Sequence, residues 1–162
     1  MPRRRSLLSG LALLLGACAG TVPPGAAPAP RGAEPAGALL REAGWLRSWF
    51  EGTPVRVETP GSGQLRVVVP REFCFDPGRA RVKPALAAVL AKLAESLRRL
   101  PQAELALVAT PDEAPRGKAL AGERAAQVRR ALSERGVPLP QLGGDSTSGG
   151  ELLRLEITLP QA

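Results

Sequence analysis

Few side chains in this 162-residue sequence are of types that do chemistry, and the pair that stands out is Asp112 and Arg124. They flank a change of element. The stretch VATPDEAPRGKALAGERAAQV, residues 108–128, leaves a strand-like run, crosses a loop rich in proline and charge, and enters a helix. At 100° per residue, Leu120, Val128 and Leu132 share one face of that helix, flanked by Ala121 and Ala125. Arg124 falls inside this apolar arc, whereas Glu123, Gln127, Arg130 and Glu134 fall outside it. A buried guanidinium left unpaired would cost several kcal/mol, so Arg124 must meet an anion, from the protein or from a ligand. Asp112 is the protein's candidate. The plain alternative is a salt bridge that only fastens loop to helix.

Bond-making chemistry finds little support. Histidine and tyrosine are absent, so the usual neutral-pH proton shuttle is missing. No nucleophile adjoins a base, no cluster has metal-ligand spacing, and Glu113 with Glu123 shows no acid–base logic. The expectation is a non-enzyme without metal or cofactor. Cys74, in Glu-Phe-Cys-Phe-Asp, reads as a small buried hydrophobe on a strand, with no adjacent base to make it a reactive thiolate.

The N-terminus sets the compartment. Met-Pro-Arg-Arg-Arg is a positive start, and Leu-Leu-Ser-Gly-Leu-Ala-Leu-Leu-Leu-Gly-Ala is an apolar run too short to span a bilayer as a stable helix. It ends in Leu15-Gly16-Ala17-Cys18, which resembles a bacterial lipobox, and that resemblance implies lipid on Cys18. The bland reading is an ordinary signal with an incidental cysteine. Acyl chains contribute about 0.8 kcal/mol per buried methylene, enough in combination to hold a protein on a membrane. Ala19 rather than aspartate after the cysteine resembles an outer-membrane address, with the remainder facing the periplasm. With Cys18 acylated, Cys74 has no partner for an intramolecular disulfide. Loss of Arg3, Arg4 and Arg5 lowers the formal charge of +7 to about +4, which suits anionic headgroups or an anionic wall polymer. Nothing in the sequence has the pattern of a nucleic-acid binder.

These residues need elements to position them. Residues 1–17 read as the signal and 18–37 as a Pro/Ala/Gly tether, disordered or partly polyproline II, reaching about 3 Å per residue. Residues 38–52 read as an amphipathic helix whose Leu39, Ala43, Leu46 and Phe50 pack on the domain, or else, with Trp45 and Trp49, form an interface. Residues 53–162 form the domain. Val55–Glu58 and Gln64–Val69 make a hairpin about Pro-Gly-Ser-Gly, and Arg71–Lys83 read as an extended strand end and loop. A helix with Leu86, Leu90, Leu93, Leu97 and Leu100 follows, then the strand Ala103–Ala109 and a helix from about Pro115 to Arg135, stopped at Gly136. Gly-Gly-Asp-Ser-Thr-Ser-Gly-Gly reads as a flexible loop, and Leu152–Leu159 as a half-buried strand. The order hairpin, helix, strand, helix, strand implies an α/β two-layer sandwich, a mixed sheet with helices packed on it.

In their joint order, three stretches resemble the OmpA-like, or peptidoglycan-associated, C-terminal domain: FCFDPGRARVKPALAAVLAKLAESL, LAGERAAQVRRALSERGVP and LRLEITL. The resemblance covers roughly Val55 to Leu159. It implies that Asp112 and Arg124 bind the diaminopimelate of the peptidoglycan stem peptide. The aspartate would take its ammonium, and the guanidinium its carboxylate through two parallel hydrogen bonds. The nearby helix start would add free N–H groups. The sequence departs from the family at the loop. Ala109-Thr110-Pro111-Asp112 stands where the family has Gly-His-Thr-Asp, the following loop is shorter, Gly117 replaces an asparagine, Ala121 replaces a serine, and only Arg154 remains of an arginine pair. The expected function is a palmitate-type lipoprotein that anchors membrane to peptidoglycan. The alternative is an OmpA-like fold that has lost its ligand and binds an envelope protein.

Overall fold

The computed structural model describes residues 33–109, 117–147 and 152–160. Cys18, the signal and most of the tether, as well as Asp112, lie outside them.

The first element, α1 (Ala33–Phe50), starts earlier than the sequence pattern indicates and ends at Phe50. Pro35 is tolerated in its first turn, where the N–H has no intrahelical acceptor. Leu39, Ala43, Leu46 and Phe50 are buried in the common core. The polar seam beside them is as specific as the apolar one. Glu42 is 9% exposed, and its carboxylate accepts from Arg99 Nε at 2.8 Å, Arg99 NH2 at 2.7 Å and Ser96 Oγ at 2.8 Å. The Arg99 guanidinium also lies 4.1 Å from the Trp45 ring centroid, and Lys92 Nζ lies 3.7 Å from that of Trp49. Burial raises the Glu42 pKa, but the bonds from Arg99 and Ser96 and the Arg99 and Arg41 charges outweigh it, and the net shift is downward.

The hairpin follows as β1 (Arg56–Glu58) and β2 (Gln64–Pro70), antiparallel, with Val57 opposite Val67. Gly63 closes the turn at φ +78°, a conformation that disfavours a side chain. Residues 71–74 correct the sequence reading. They form a helical turn, α2 (Arg71–Cys74), rather than extended chain, and Cys74 therefore ends a helix instead of lying on a strand. Pro70, fixed at φ −61°, begins the turn, and burial of Cys74 and Phe75 holds it. Next come α3 (Pro84–Arg99), with proline in its first turn, β3 (Glu104–Ala109) and α4 (Gly117–Ser133). Gly136 at φ +82° turns the chain out of α4.

Residues 142–147 give a second correction. They are β4 (Leu142–Thr147), an edge strand parallel to β3, where the sequence pattern suggested a flexible loop. Glycine, aspartate and serine carry no strand periodicity, so pairing with β3 imposes the conformation. A register shift opposite Leu105 and Leu107 absorbs the irregularity. The last strand, β5 (Leu152–Thr158), lies between β2 and β3 and is antiparallel to both. The sheet order is β1-β2-β5-β3-β4.

Alternation is clean in β5, whereas β2 buries Val67, Val68 and Val69 in succession. Leu153, Leu155 and Ile157 are fully buried with Leu65, Val67, Val69, Leu105 and Leu107 against the leucines of α3 and α4. Charge occupies the intervening positions Arg66 of β2 and Arg154 and Glu156 of β5. Arg66, directly opposite Glu156, donates to it at 2.9 Å and lies 3.7 Å from Glu58 on the neighbouring strand. This is the expected two-layer α/β sandwich with a mixed sheet, enlarged by one strand.

Candidate functional site

The register brings the end of β2, the start of β5 and the end of β3 to one end of the sheet. Pro70 at the end of β2 pairs with Leu152 at the start of β5, and Val108 near the end of β3 pairs with Arg154. β3 ends at Ala109 and α4 begins at Gly117, and Asp112 belongs to the seven residues of sequence between them.

Arg124 sits in the second turn of α4 and is 0% exposed, among the largest fully buried side chains of the protein. Its helix neighbours Leu120, Ala121, Ala125, Val128 and Leu132 are buried with it, as the helical wheel requires. The guanidinium donates from Nε to the Arg79 carbonyl at 3.0 Å and from NH2 to the Asp76 carbonyl at 3.3 Å. Its carbon lies 4.9 Å from the Phe75 ring centroid. Where the sequence calls for an anion from the protein or a ligand, main-chain carbonyls take up part of the guanidinium's donors.

The loop that offers those carbonyls is built for the purpose. In Asp76-Pro77-Gly78-Arg79, proline pre-sets one central position and Gly78 takes φ +66° at the next. The Arg79 N–H closes the turn on the Asp76 carbonyl at 3.0 Å, the same oxygen that Arg124 reaches. Lys83 locks the loop from below: its N–H donates to the Cys74 carbonyl at 3.0 Å, and its ammonium donates to the Glu72 carbonyl at 2.8 Å and lies 3.4 Å from Asp76 Oδ1. Arg124 is thus aimed by fixed main-chain dipoles and an aromatic face, which removes most of its rotamer freedom.

Cys74 is next to this cluster and stays inert. Burial pushes its thiol up to about 12, although the Arg124 and Lys83 charges act the other way. Its Sγ lies 3.3 Å from the Pro70 carbonyl. Among the described residues no group of histidine, cysteine, aspartate or glutamate could hold a metal ion.

The sequence reading found Arg124 from periodicity. It missed Phe75 and the Asp76 and Arg79 carbonyls as its partners, because a carbonyl acceptor leaves no mark in residue type. Asp-Pro-Gly was the one legible sign, a turn signal just after the Phe-Cys-Phe motif. Asp112 lies outside the described residues.

No family model matches this chain, and no curated protein does. Solved structures do match. A putative MotB-like protein from Desulfovibrio vulgaris superposes with a TM-score of 0.65 at 16% identity, over 81% of this chain and 97% of that one. The cell wall anchor of the T6SS from Pseudomonas aeruginosa gives 0.57 at 15% identity, over 75% and 97%. The OmpA-like domain of FopA1 from Francisella tularensis gives 0.50 at 11% identity, over 67% and 82%. At these identities the likeness is one of fold, and the fold of the described residues is OmpA-like.

Proposed function

We propose that this chain is a non-catalytic lipoprotein of the cell envelope that ties the outer membrane to the cell wall. Lipid on Cys18 holds the membrane, the Pro/Ala/Gly segment spans the gap, and Asp112 with Arg124 grips the diaminopimelate of the peptidoglycan stem peptide without covalent chemistry. The observation that carries this reading is the state of Arg124: a wholly buried guanidinium, aimed by two carbonyls and the Phe75 ring. Such an arginine is pre-organised for a carboxylate, and the desolvated setting strengthens a charge-assisted bond. The fold shared with a cell wall anchor supports the choice of ligand by analogy.

The test is sedimentation of the detergent-solubilised chain with purified sacculi. Co-sedimentation that falls at least tenfold in Asp112→Ala and in Arg124→Lys, both still folded by circular dichroism, supports the reading. A wild-type chain that stays in the supernatant replaces it with the alternative, an OmpA-like module that binds an envelope protein. If binding survives both substitutions, Asp112 and Arg124 form a structural fastening only. Release of the protein from membranes by Cys18→Ser tests the lipid; continued membrane association would exclude it.

A further inference from the structure

A second concavity lies between the C-terminal end of α1 and the N-terminal half of α3, away from the Arg124 cluster in its lining. It measures about 420 Å³ and is walled by Trp49, Phe50, Pro54, Phe73, Val89 and Lys92, with Ala85 and Ala88 in its lining. Trp49 remains 53% exposed and Phe73 37%, which makes them two of the four large hydrophobic side chains left in solvent among the described residues. Lys92 is the one charged residue of the lining, and its ammonium is already engaged by Glu95 at 3.0 Å and by the Trp49 face at 3.7 Å. The groove therefore asks for an uncharged apolar occupant and offers an acidic one little.

The chain supplies such an occupant just ahead of α1. Residues 21–30, Thr-Val-Pro-Pro-Gly-Ala-Ala-Pro-Ala-Pro, contain no charge and four prolines. Aromatic-lined grooves take proline-rich extended segments because these lose little entropy on docking. The distances agree. From Ala33 to Trp49 along α1 is about 24 Å at 1.5 Å per residue. From Ala33 back to Pro23 a polyproline-like chain covers about 31 Å at 3.1 Å per residue. Covalent attachment gives the segment an effective concentration of order mM, so a weak contact suffices to fill the groove.

We propose that the segment 21–30 runs back along α1 and docks Pro23 and Pro24 in the Trp49–Phe73 groove. The free length between position 18 and the domain is then set by a docking equilibrium, shorter when docked and longer when released. This does not depend on wall binding. The probe is 19F resonance of 5-fluorotryptophan in the full chain, reconstituted at one copy per lipid nanodisc, with Trp45→Phe assigning the two signals. The variants are Pro→Ser at 23, 24, 28 and 30 together, Ala88→Glu at an exposed lining position, and their combination. Docking requires a solvent-isotope shift at Trp49 at least twofold smaller in the native chain than in either variant, no further change in the combination, and an unmoved Trp45 signal. Identical Trp49 signals in the native and Pro→Ser chains overturn the proposal. A response to Ala88→Glu alone overturns it in favour of lipid, and one that needs several copies per disc overturns it in favour of a second chain.

Discussion

Glu42→Gln is the perturbation with the most definite expected size. The substitution keeps shape and removes charge. The carboxylate now accepts three bonds, two from Arg99 and one from Ser96. A carboxamide retains one acceptor oxygen and turns its amide donors toward a donor. Bonds to charged groups are each worth about 1.5–3 kcal/mol. The Arg99 side chain is 44% exposed and recovers part of the loss by hydration, which leaves a net cost of about 2 kcal/mol. For a domain of this size that corresponds to a Tm lower by about 6–10 °C. The pH dependence gives the sharper check. The folded pKa of Glu42 is depressed below its ordinary value. Its stabilisation is therefore present in full above the unfolded pKa of about 4.3 and is lost as pH falls through the lower folded value. Urea unfolding of wild type and variant at pH 7, 5, 4 and 3 should give a gap of about 2 kcal/mol at pH 7 that closes at the acid end. A gap under about 0.5 kcal/mol at pH 7, or one independent of pH, would refute the view that this carboxylate clamps α1 to α3.

Arg124→Met should remove two bonds to buried carbonyls and the contact with Phe75, lowering stability by about 3 kcal/mol in chemical denaturation; a loss below about 1 kcal/mol would mean that the guanidinium is not engaged as described. Leu155→Ala, at a fully buried position of the central strand, should cost about 2–5 kcal/mol by the same measurement. The Cys74 thiol, pushed up to about 12, should resist alkylation at pH 8 in the folded protein and react once it is unfolded. Because the unfolded thiol ionises first, stability should decline as pH rises above about 8.5, and a Cys74→Ala chain should lack that component.

The legible parts of the fold were those where one physical pattern acts alone. Leucines at helical spacing in α3 and the alternation Leu153, Leu155, Ile157 announce their faces, and all are buried as the pattern requires. Arg124 was legible by the same logic, as a charge on the wrong side of a helix. What stayed hidden depends on groups that sequence does not encode. β4 is a strand because β3 offers it an edge, while its own glycines and polar residues say loop. The Asp76 and Arg79 carbonyls that hold Arg124 belong to the backbone. Glu42, Ser96 and Arg99 meet across 54 to 57 residues of chain, and each alone looks like an ordinary surface residue of a helix.

The placement of β5 in the middle of the sheet governs when the protein can fold at all. Arg66 and Glu156 are 90 residues apart in the chain, and the hairpin reaches β3 only through the strand between them. Until the C-terminal residues are available, the early hairpin and the β3–β4 pair remain two separate fragments with unsatisfied edges. Assembly is therefore a late, all-at-once event dominated by distant contacts, and slow for a chain of this length. Truncation before Leu152 should leave no partial sheet behind.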